Sequence, residues 1–290
     1  MSINIHPTAI VSPKASLAEG VSVGPYSIIG DNVSIEADTN IGPHVVIDGY
    51  TKIGKGNRFF QFCSIGSTPQ DLKYRGESSE LQIGDNNTIR EYVTLQPGTE
   101  TGSMISKIGS GNLFMVGSHV GHDAVVGDGN VFANYCCLAG HVTIEDKVTI
   151  GGLSGIHQFV RIGQLAILGA GAMVAQDIPP FCIAQGDHAK LMGINKIGVS
   201  RAGYTSQEVT QLRRIFRQLF WSKKTAQDPE VTQGSESESS MQMGLRNKIK
   251  FLEEQAVDFA AAKVLVEFLK AESKRGVAAA NRRSASNEEN

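Results

Sequence analysis

The sequence lacks any run that approaches 18 consecutive apolar residues, so it predicts no membrane-spanning helix. Its first residues also lack a basic segment followed by a long apolar stretch, which indicates no signal peptide and favours a cytoplasmic protein. No charge dominates, because 27 Lys and Arg residues face 29 Asp and Glu residues. This balance argues against binding to nucleic acid through bulk charge.

Cysteine is scarce, and its spacing fits no metal site. The chain has Cys63, Cys136, Cys137 and Cys182, and no pair shows the short repeated spacing of zinc ligands. We therefore predict reduced thiols in a cytosolic protein and no bound metal or redox cofactor.

Glycine is abundant, at 32 of 290 residues, and it accompanies a repeat with a period of six. Each sixth residue from the N-terminus is apolar, and a small or medium residue stands four positions later. The period resumes at Ile83, runs unbroken from Ile108 to Val174 and stops at Pro179–Pro180. The first members are Ile5, Val11, Leu17, Val23, Ile29, Ile35, Ile41, Ile47, Ile53, Phe59 and Ile65.

A period of six fits a short strand followed by a turn, and it does not fit an α-helix. Three such units would close a triangular coil of 18 residues, and each coil would hydrogen-bond to the next about 4.8 Å away. The sequence therefore predicts an all-β fold, a three-sided parallel β-helix over residues 1–190. Two stretches that break the period, 67–82 and 101–107, should leave the prism as loops, where binding residues tend to lie.

The composition changes near residue 190, and residues 191–275 are predicted to form a helical domain that caps the open end of the prism. Thr205 and Glu208 have the spacing of a capping box. The positions Val209, Leu212, either Ile215 or Phe216, and Leu219 then recur on one helical face. Further helices are expected near 241–255 and 257–274, followed by a disordered tail over 276–290.

The segment "SHVGHD" at 118–123 becomes informative once residues 18 apart are stacked. His122 then lies in one column with Gly140 and Gln158, and Asp123 lies in the next column with His141. A histidine serves as a general base near neutral pH, a neighbouring carboxylate orients it, and an open glycine N–H can stabilise an oxyanion. The cluster therefore predicts acyl transfer to a hydroxyl group.

Three other interpretations stay open at this point. Outward histidines and carboxylates on a β-helix are commonly solvated surface. His119, His122 and His141 could bind zinc, as in hydratases of the carbonic-anhydrase type, although the first two lie too close along one strand to converge easily. A flat ice-binding face would need repeated threonine ladders, and the outward positions are irregular.

Several segments together resemble one family. "HPTAIV", "QDLKYRGE", "AGH", "IHQF", "AQDIPPFCIAQGDHA" and "GIN" occur in the order and spacing of the UDP-N-acetylglucosamine O-acyltransferases of lipid A synthesis, the LpxA family. The resemblance implies a left-handed β-helix and a homotrimer with active sites between neighbouring prisms. It also implies transfer of an (R)-3-hydroxyacyl group from acyl carrier protein to UDP-N-acetylglucosamine, the first step of lipid A biosynthesis. The chief rival is an acetyl-CoA-dependent hexapeptide acetyltransferase.

The resemblance also implies roles for individual residues. His122 would be the general base, Asp123 its orienting partner and Gly140 the oxyanion donor. Ala170 would close the acyl groove and so set the chain length. The implied substrate-binding residues are Asp71, Lys73, His119, His141, Gln158, His188, Asn195 and Arg201.

Two departures from the family and one charged segment complete the prediction. Ile197 and Ala202 stand where some members carry charged residues, and Gln96 and Pro97 stand where members often have His and Arg. The acceptor is therefore UDP-N-acetylglucosamine or an analogue with an amine at the 3-position. On the predicted helix, Arg213, Arg214 and Arg217 should form one exposed ridge that docks the acidic acyl carrier protein.

Overall fold

A computed structural model of the chain describes residues 2–221, 249 and 259–281. Most of this part is a prism of very short strands. In chain order the strands are β1 (Asn4–Ile5), β2 (Ile10–Val11), β3 (Ser16–Leu17), β4 (Ser22–Val23), β5 (Ile28–Ile29), β6 (Val33–Ile35), β7 (Asn40–Ile41), β8 (Val46–Ile47), β9 (Tyr50–Ile53), β10 (Arg58–Phe59), β11 (Ser64–Ile65), β12 (Glu80–Ile83), β13 (Thr88–Ile89), β14 (Thr94–Leu95), β15 (Ile105–Ile108), β16 (Leu113–Phe114), β17 (His119–Val120), β18 (Val125–Val126), β19 (Val131–Phe132), β20 (Cys137–Leu138), β21 (Thr143–Ile144), β22 (Thr149–Ile150), β23 (Gly155–Ile156), β24 (Arg161–Ile162), β25 (Ile167–Leu168), β26 (Met173–Val174), β27 (Cys182–Gln185) and β28 (Lys190–Ile194).

Through β26, a strand pairs in parallel with the strand three places later in the chain, so the chain winds around three sheets. Sheet A begins at β1 and ends with β25, β27 and β28, sheet B runs from β2 to β26, and sheet C runs from β3 to β24. Outside the two loops the pairing register advances by 18 residues per coil, as in Asn4↔Ser22. The coil is the left-handed parallel β-helix that the resemblance implied.

The hexad pattern explains the core. The second residue of a typical strand points inward and is buried, for example Ile29, Ile47 and Leu138. One internal corner is polar: the side-chain amides of Asn57, Asn87 and Asn112 hydrogen-bond to one another from coil to coil. A buried amide needs such partners, because burial without a hydrogen bond is costly.

The two loops leave the prism where the period breaks, but each ends earlier than predicted. Residues 80–82 belong to β12 and residues 105–107 belong to β15, and these two strands pair over four residues. The excursions therefore lie before residue 80 and before residue 105. The six-residue period did not predict that 80–82 and 105–107 are strand residues, because it marks one inward-facing residue per strand. The strands β12 and β15 each have two inward-facing residues.

The boundary at residue 190 also differs from the prediction. Residues 190–194 form β28, which pairs antiparallel with β27 and extends sheet A by one strand. The parallel repeat of six cannot reveal an antiparallel hairpin. This hairpin covers the open edge of sheet A at the last coil, an edge that would otherwise be unpaired.

The ranges that the structure describes beyond β28 contain the helices α1 (Lys196–Arg201), α2 (Ser206–Phe216) and α3 (Ala260–Lys270). Thr205 and Glu208 form the predicted capping box at the start of α2, and a π-helical turn continues it over Arg217–Trp221. Leu212 and Phe216 join the core of the prism. The helix expected near 241–255 lies outside the described residues, apart from Ile249. No helix in the described ranges is both long and apolar enough to cross a membrane.

The segment 276–281, predicted as part of a disordered tail, is attached to the prism. The Asp177 N–H donates to Gly276 O at 2.7 Å, and the Ala278 N–H donates to Asp177 O at 2.9 Å. Ala278 is buried. The short apolar side chains of residues 276–281 show too little periodicity to predict this contact. The tail beyond residue 281 lies outside the described residues.

Candidate active site

The catalytic candidate His122 lies at a corner of the prism, directly after β17. Its Nδ1 is 2.8 Å from Oδ2 of Asp123, and both side chains are almost buried, at 9% and 1% exposure. Asp123 has a φ of +56°, a left-handed conformation that an aspartate tolerates better than most residues. This turn brings the adjacent side chains together, so that the carboxylate faces the imidazole.

The second loop wraps around the Asp123 carboxylate. Oδ1 accepts hydrogen bonds from the N–H groups of Thr99 and Ser103, at 3.1 and 2.8 Å, and Oδ2 accepts one from the Thr99 hydroxyl at 2.6 Å. Gly102 packs against the same carboxylate, where a Cβ atom would collide with it. Sequence reasoning missed these three residues; the break in the hexad period was the only signal of them.

These hydrogen bonds decide the charge of the pair. Burial by itself would raise the pKa of Asp123, but the bonds from Thr99, His122 and Ser103 together outweigh it and hold that pKa below its usual value. The carboxylate is therefore ionised. An ionised Asp123 accepts the Nδ1 proton of His122, which leaves Nε2 as the nitrogen that can take up a proton.

Gly140 lies beneath the His122 ring. A Cβ atom at residue 140 would lie 2.5 Å from Nε2 of His122, so only glycine permits this approach. Within the described part of the chain, no acceptor pairs with the Gly140 N–H. Gly121 keeps that N–H open, since a Cβ atom at residue 121 would lie 2.9 Å from Gly140 N.

Two more histidines complete the cluster. The ring of His141 meets the edge of His122 at 5.0 Å and stacks on Phe159 at 4.4 Å. The Nδ1 of His119 lies 2.7 Å from the Thr94 hydroxyl. Burial is the main cause that lowers the pKa of both His119 and His141. Burial thus favours the neutral imidazole at both positions.

His122, Asp123 and His141 hold donor atoms within 4.8 Å of one another, the closeness that a metal site needs. Their donors are already directed elsewhere. Both oxygens of Asp123 accept hydrogen bonds from protein groups, and His122 Nδ1 faces the same carboxylate. Since a metal ligand must present a free lone pair, Asp123 and His122 Nδ1 are poorly placed to bind an ion.

The first loop and the next coil place further candidates near this corner. The Asp71 carboxylate lies close enough to His141 for its negative charge to work against the lowering of the His141 pKa. Oδ1 of Asp71 accepts the Lys73 N–H at 3.0 Å. The Lys73 side chain is exposed. Gln158 is exposed one coil beyond Gly140, in the column that the 18-residue spacing predicted.

Four other candidates lie toward the C-terminal end. His188 is exposed in the turn of the β27–β28 hairpin, Arg201 is exposed at the end of α1, and Ala170 is exposed after β25. Asn195 is buried, and its amide has a structural role: it caps α1 by accepting the Gly198 N–H at 2.9 Å and donates to Leu165 O at 2.8 Å. Both ends of that side chain are thus engaged within the fold.

The predicted arginine ridge on α2 is less exposed than expected. Arg214 and Arg217 are exposed, but Arg213 is half-buried. The three line a surface depression with Thr210 and Gln218. Arg213 directly follows Leu212, which is fully buried.

Two family models match the chain. The model of UDP-N-acetylglucosamine O-acyltransferase, domain 2, matches residues 177–278. The bacterial transferase hexapeptide, a model of six repeats, matches residues 14–49. The first match spans the hairpin and the described helices, and the second lies within the prism.

Named relatives cover most of the chain. An acyl-(acyl-carrier-protein)–UDP-N-acetylglucosamine O-acyltransferase of Myxococcus xanthus is 52% identical over 227 residues, 78% of this chain and 88% of the relative. One from Aliarcobacter butzleri is 51% identical over 78% of this chain and 86% of the relative. The crystal structure of UDP-N-acetylglucosamine O-acyltransferase from Moraxella catarrhalis is 38% identical, has a TM-score of 0.85 and covers 94% of this chain and 98% of its own.

Proposed function

Because this chain belongs to the UDP-N-acetylglucosamine O-acyltransferase family, we propose that His122 is the general base of its acyl transfer. The enzyme transfers an acyl group from acyl carrier protein to UDP-N-acetylglucosamine in lipid A biosynthesis. The observation that supports His122 is its pairing with the ionised Asp123, 2.8 Å away. The transferred group is taken to be an (R)-3-hydroxyacyl chain.

The reaction needs no cofactor in this proposal. Nε2 of His122 removes the proton from the sugar 3-hydroxyl as the oxygen attacks the thioester carbonyl carbon. The carbonyl oxygen becomes an oxyanion that accepts the Gly140 N–H, and Asp123 stabilises the imidazolium. The carbon–sulfur bond then breaks. The leaving thiolate takes the proton from His122, which yields the ester and a free carrier thiol.

The surrounding residues would bind the two substrates. Asp71 and Lys73 approach the sugar and its phosphate from the first loop, and His119, His141 and Gln158 flank the reacting groups. His188 and Arg201 lie toward the C-terminal end, where the nucleotide would extend. The exposed Ala170 leaves the acyl groove open, so a fairly long chain fits.

Docking of the carrier protein is assigned to α2. Arg214 and Arg217 are exposed and stand three positions apart, and Arg213, which is half-buried, adds its charge beside them. An acidic helical partner would be attracted to this surface, and salt would screen that attraction. Changing all three to Glu should raise the KM for the carrier-protein donor and leave the KM for the UDP-sugar nearly unchanged. An unchanged donor KM would remove the docking assignment.

Sheet B supports assembly into a trimer. Its outward side chains carry no acidic or basic residue apart from His119: they are Ile10, Ile28, Val46, Ser64, Thr94, His119, Cys137, Gly155 and Met173. The adjoining corner adds Tyr26, Phe62, Tyr92, Tyr135 and Leu153, each at least 46% exposed. A continuous apolar strip beside the catalytic corner is typical of a surface that another protomer covers.

Charge placed on this strip tests the assembly. Ile28→Glu combined with Phe62→Glu should convert a trimer into a monomer in analytical ultracentrifugation, with loss of activity. Val131→Glu, an outward change on sheet A, is the matched control and should leave both unchanged. A wild-type chain that sediments as a monomer with full activity would contradict the proposal.

The proposed reaction is tested by mass spectrometry of the product. Purified enzyme is supplied with UDP-N-acetylglucosamine or its 3-amino analogue, and with (R)-3-hydroxyacyl carrier-protein thioesters of several lengths or a coenzyme A thioester. Acylation at the 3-oxygen by the carrier-protein thioesters is expected. Equal use of acetyl coenzyme A would favour the rival acetyltransferase, and preference for the 3-amino sugar would change the acceptor.

A further inference from the structure

The C-terminal segment places a cation at the end of the catalytic column. The Nζ atom of Lys274 lies 4.3 Å from the ring centroid of Phe159. Phe159 stacks on His141 at 4.4 Å, and His141 meets His122 at 5.0 Å. Because His141 covers one face of Phe159, the ammonium lies over the opposite face. Lys274 thus extends the column away from His122, toward the C-terminal end of the prism.

The segment is attached to the prism by the two residues that follow Lys274. The Arg275 Nε donates to Ala175 O at 3.1 Å. Gly276, with a φ of +69°, donates its N–H to the Ser273 hydroxyl oxygen at 2.8 Å and accepts from Asp177 at 2.7 Å. The attached backbone and the cation–π contact restrict Lys274 before any ligand binds. This lowers the entropic cost of binding a ligand.

The charge on Lys274 has no acidic partner in the part of the chain that the structure describes. Its ammonium forms no ion pair with a carboxylate there, and the side chain is exposed. The ammonium is nevertheless close enough to the catalytic corner for its charge to help lower the pKa of His141. An exposed, positioned ammonium without a carboxylate is suited to a phosphate group.

We propose that Lys274 is a further substrate-binding residue, whose ammonium binds the diphosphate of the UDP-sugar. This inference rests on the proposed function of His122. The sugar ring that carries the reacting 3-hydroxyl also carries the diphosphate, so a phosphate must lie a short distance from the base. Lys274 lies beyond Phe159, on the side of the column away from His122.

The substitution Lys274→Met tests the proposal, because it removes the charge and keeps an unbranched side chain that can still cover Phe159. The KM for the UDP-sugar, and the Kd of UDP measured by calorimetry, should each rise roughly tenfold, as expected for the loss of one charge-assisted hydrogen bond. The KM for the carrier-protein donor should not change. Lys274→Arg should restore most of the affinity, since a guanidinium both stacks on a ring and binds phosphate.

Lys263→Met is the matched control, since it removes the same charge from an exposed position on α3 and should leave all three constants unchanged. If Lys274→Met leaves the UDP-sugar KM and the UDP affinity at the wild-type values, the inference is wrong. A rise in the donor KM alone would overturn it in favour of the phosphate on the carrier's arm. Wild-type chain without acyltransferase activity would instead contradict the proposed function, and the UDP titration would still report on Lys274.

Discussion

The imidazole of His122 lies directly over Gly140, so closely that a Cβ atom at residue 140 would lie 2.5 Å from both Cε1 and Nε2. Gly140→Ala would therefore push the ring away from its position on Asp123. It would also hinder access to the Gly140 N–H. Because both the base and the oxyanion donor are affected, kcat should fall at least about 100-fold, the size typical for one oxyanion donor.

The fold should survive this change, since the φ of Gly140 is not in the left-handed region. Circular dichroism and the thermal midpoint report on that. Gly152→Ala is the control, because its nearest neighbour would be Asn134 O at 3.2 Å and no catalytic group is near in sequence. Gly140→Ala enzyme with wild-type kcat would show that neither contact matters to the reaction.

Thr99 is expected to act through Asp123. Its hydroxyl donates to Oδ2 at 2.6 Å, and Thr99→Val removes that donor while the side chain keeps its shape. The carboxylate then loses one of the bonds that keep its pKa low and its orientation fixed. We expect kcat to fall about tenfold with a nearly unchanged KM for the UDP-sugar.

Thr99→Ser should restore kcat, because it returns the hydroxyl alone. A purely structural role would instead appear as an equal loss in both variants, or as a lower thermal midpoint without a change in kcat. Steady-state kinetics on the three proteins separate these outcomes.

The sequence predicted the prism and the position of His122 because both follow from one period. Once 18 residues make a coil, the register places His122, Gly140 and Gln158 in one column without knowledge of any side chain. The period could not predict the contacts of Thr99 and Ser103 with Asp123, since these two residues lie in a loop that does not follow the period. It could not predict the β27–β28 hairpin either, because an antiparallel pair does not follow the parallel period. The Lys274 contact escaped prediction because it joins Lys274 to Phe159, far apart in the chain.

The buried histidines predict how stability depends on pH. Burial holds the folded-state pKa values of His119 and His141 below the ordinary value of a histidine, about 6.5. As the pH falls, the unfolded chain therefore takes up these protons before the folded chain does. Their contribution is fully present above pH 6.5 and is lost as the pH falls through 6.5 toward the folded-state values. Asp123 adds a further loss at lower pH, because its folded-state pKa is depressed.

The free energy of unfolding should therefore decline as the pH is lowered from 7.5 to 5.5, and His119→Asn should show a smaller decline than wild type. Urea denaturation at several pH values measures it. A slope that is identical in the two proteins would show that His119 does not contribute to the decline.

The buried pair of Arg161 and Asp177 holds the C-terminal segment to the prism. Arg161 Nε is 2.8 Å from Asp177 Oδ2, with the carboxylate fully buried, and the guanidinium lies 4.4 Å over the ring of Phe268 in α3. Asp177→Ala leaves a partly buried arginine without its partner, which should lower the free energy of unfolding by about 3–5 kcal/mol.

Asp31→Ala is the control for this change, since it breaks the exposed pair of Lys14 and Asp31 and should alter stability little. Chemical denaturation measures all three proteins. A loss for Asp177→Ala no larger than for the control would mean that the buried pair does not anchor the segment.

The central claim, that His122 is the general base, is tested most directly by the kcat of His122→Asn with UDP-N-acetylglucosamine and a carrier-protein thioester. Asparagine keeps a polar group beside Asp123 but cannot accept the proton. We predict that kcat falls by roughly 10²–10⁴, with a thermal midpoint and a UDP-sugar KM close to those of wild type. A variant that retains more than about a tenth of the wild-type kcat would contradict the assignment, because a positioned base contributes more than that.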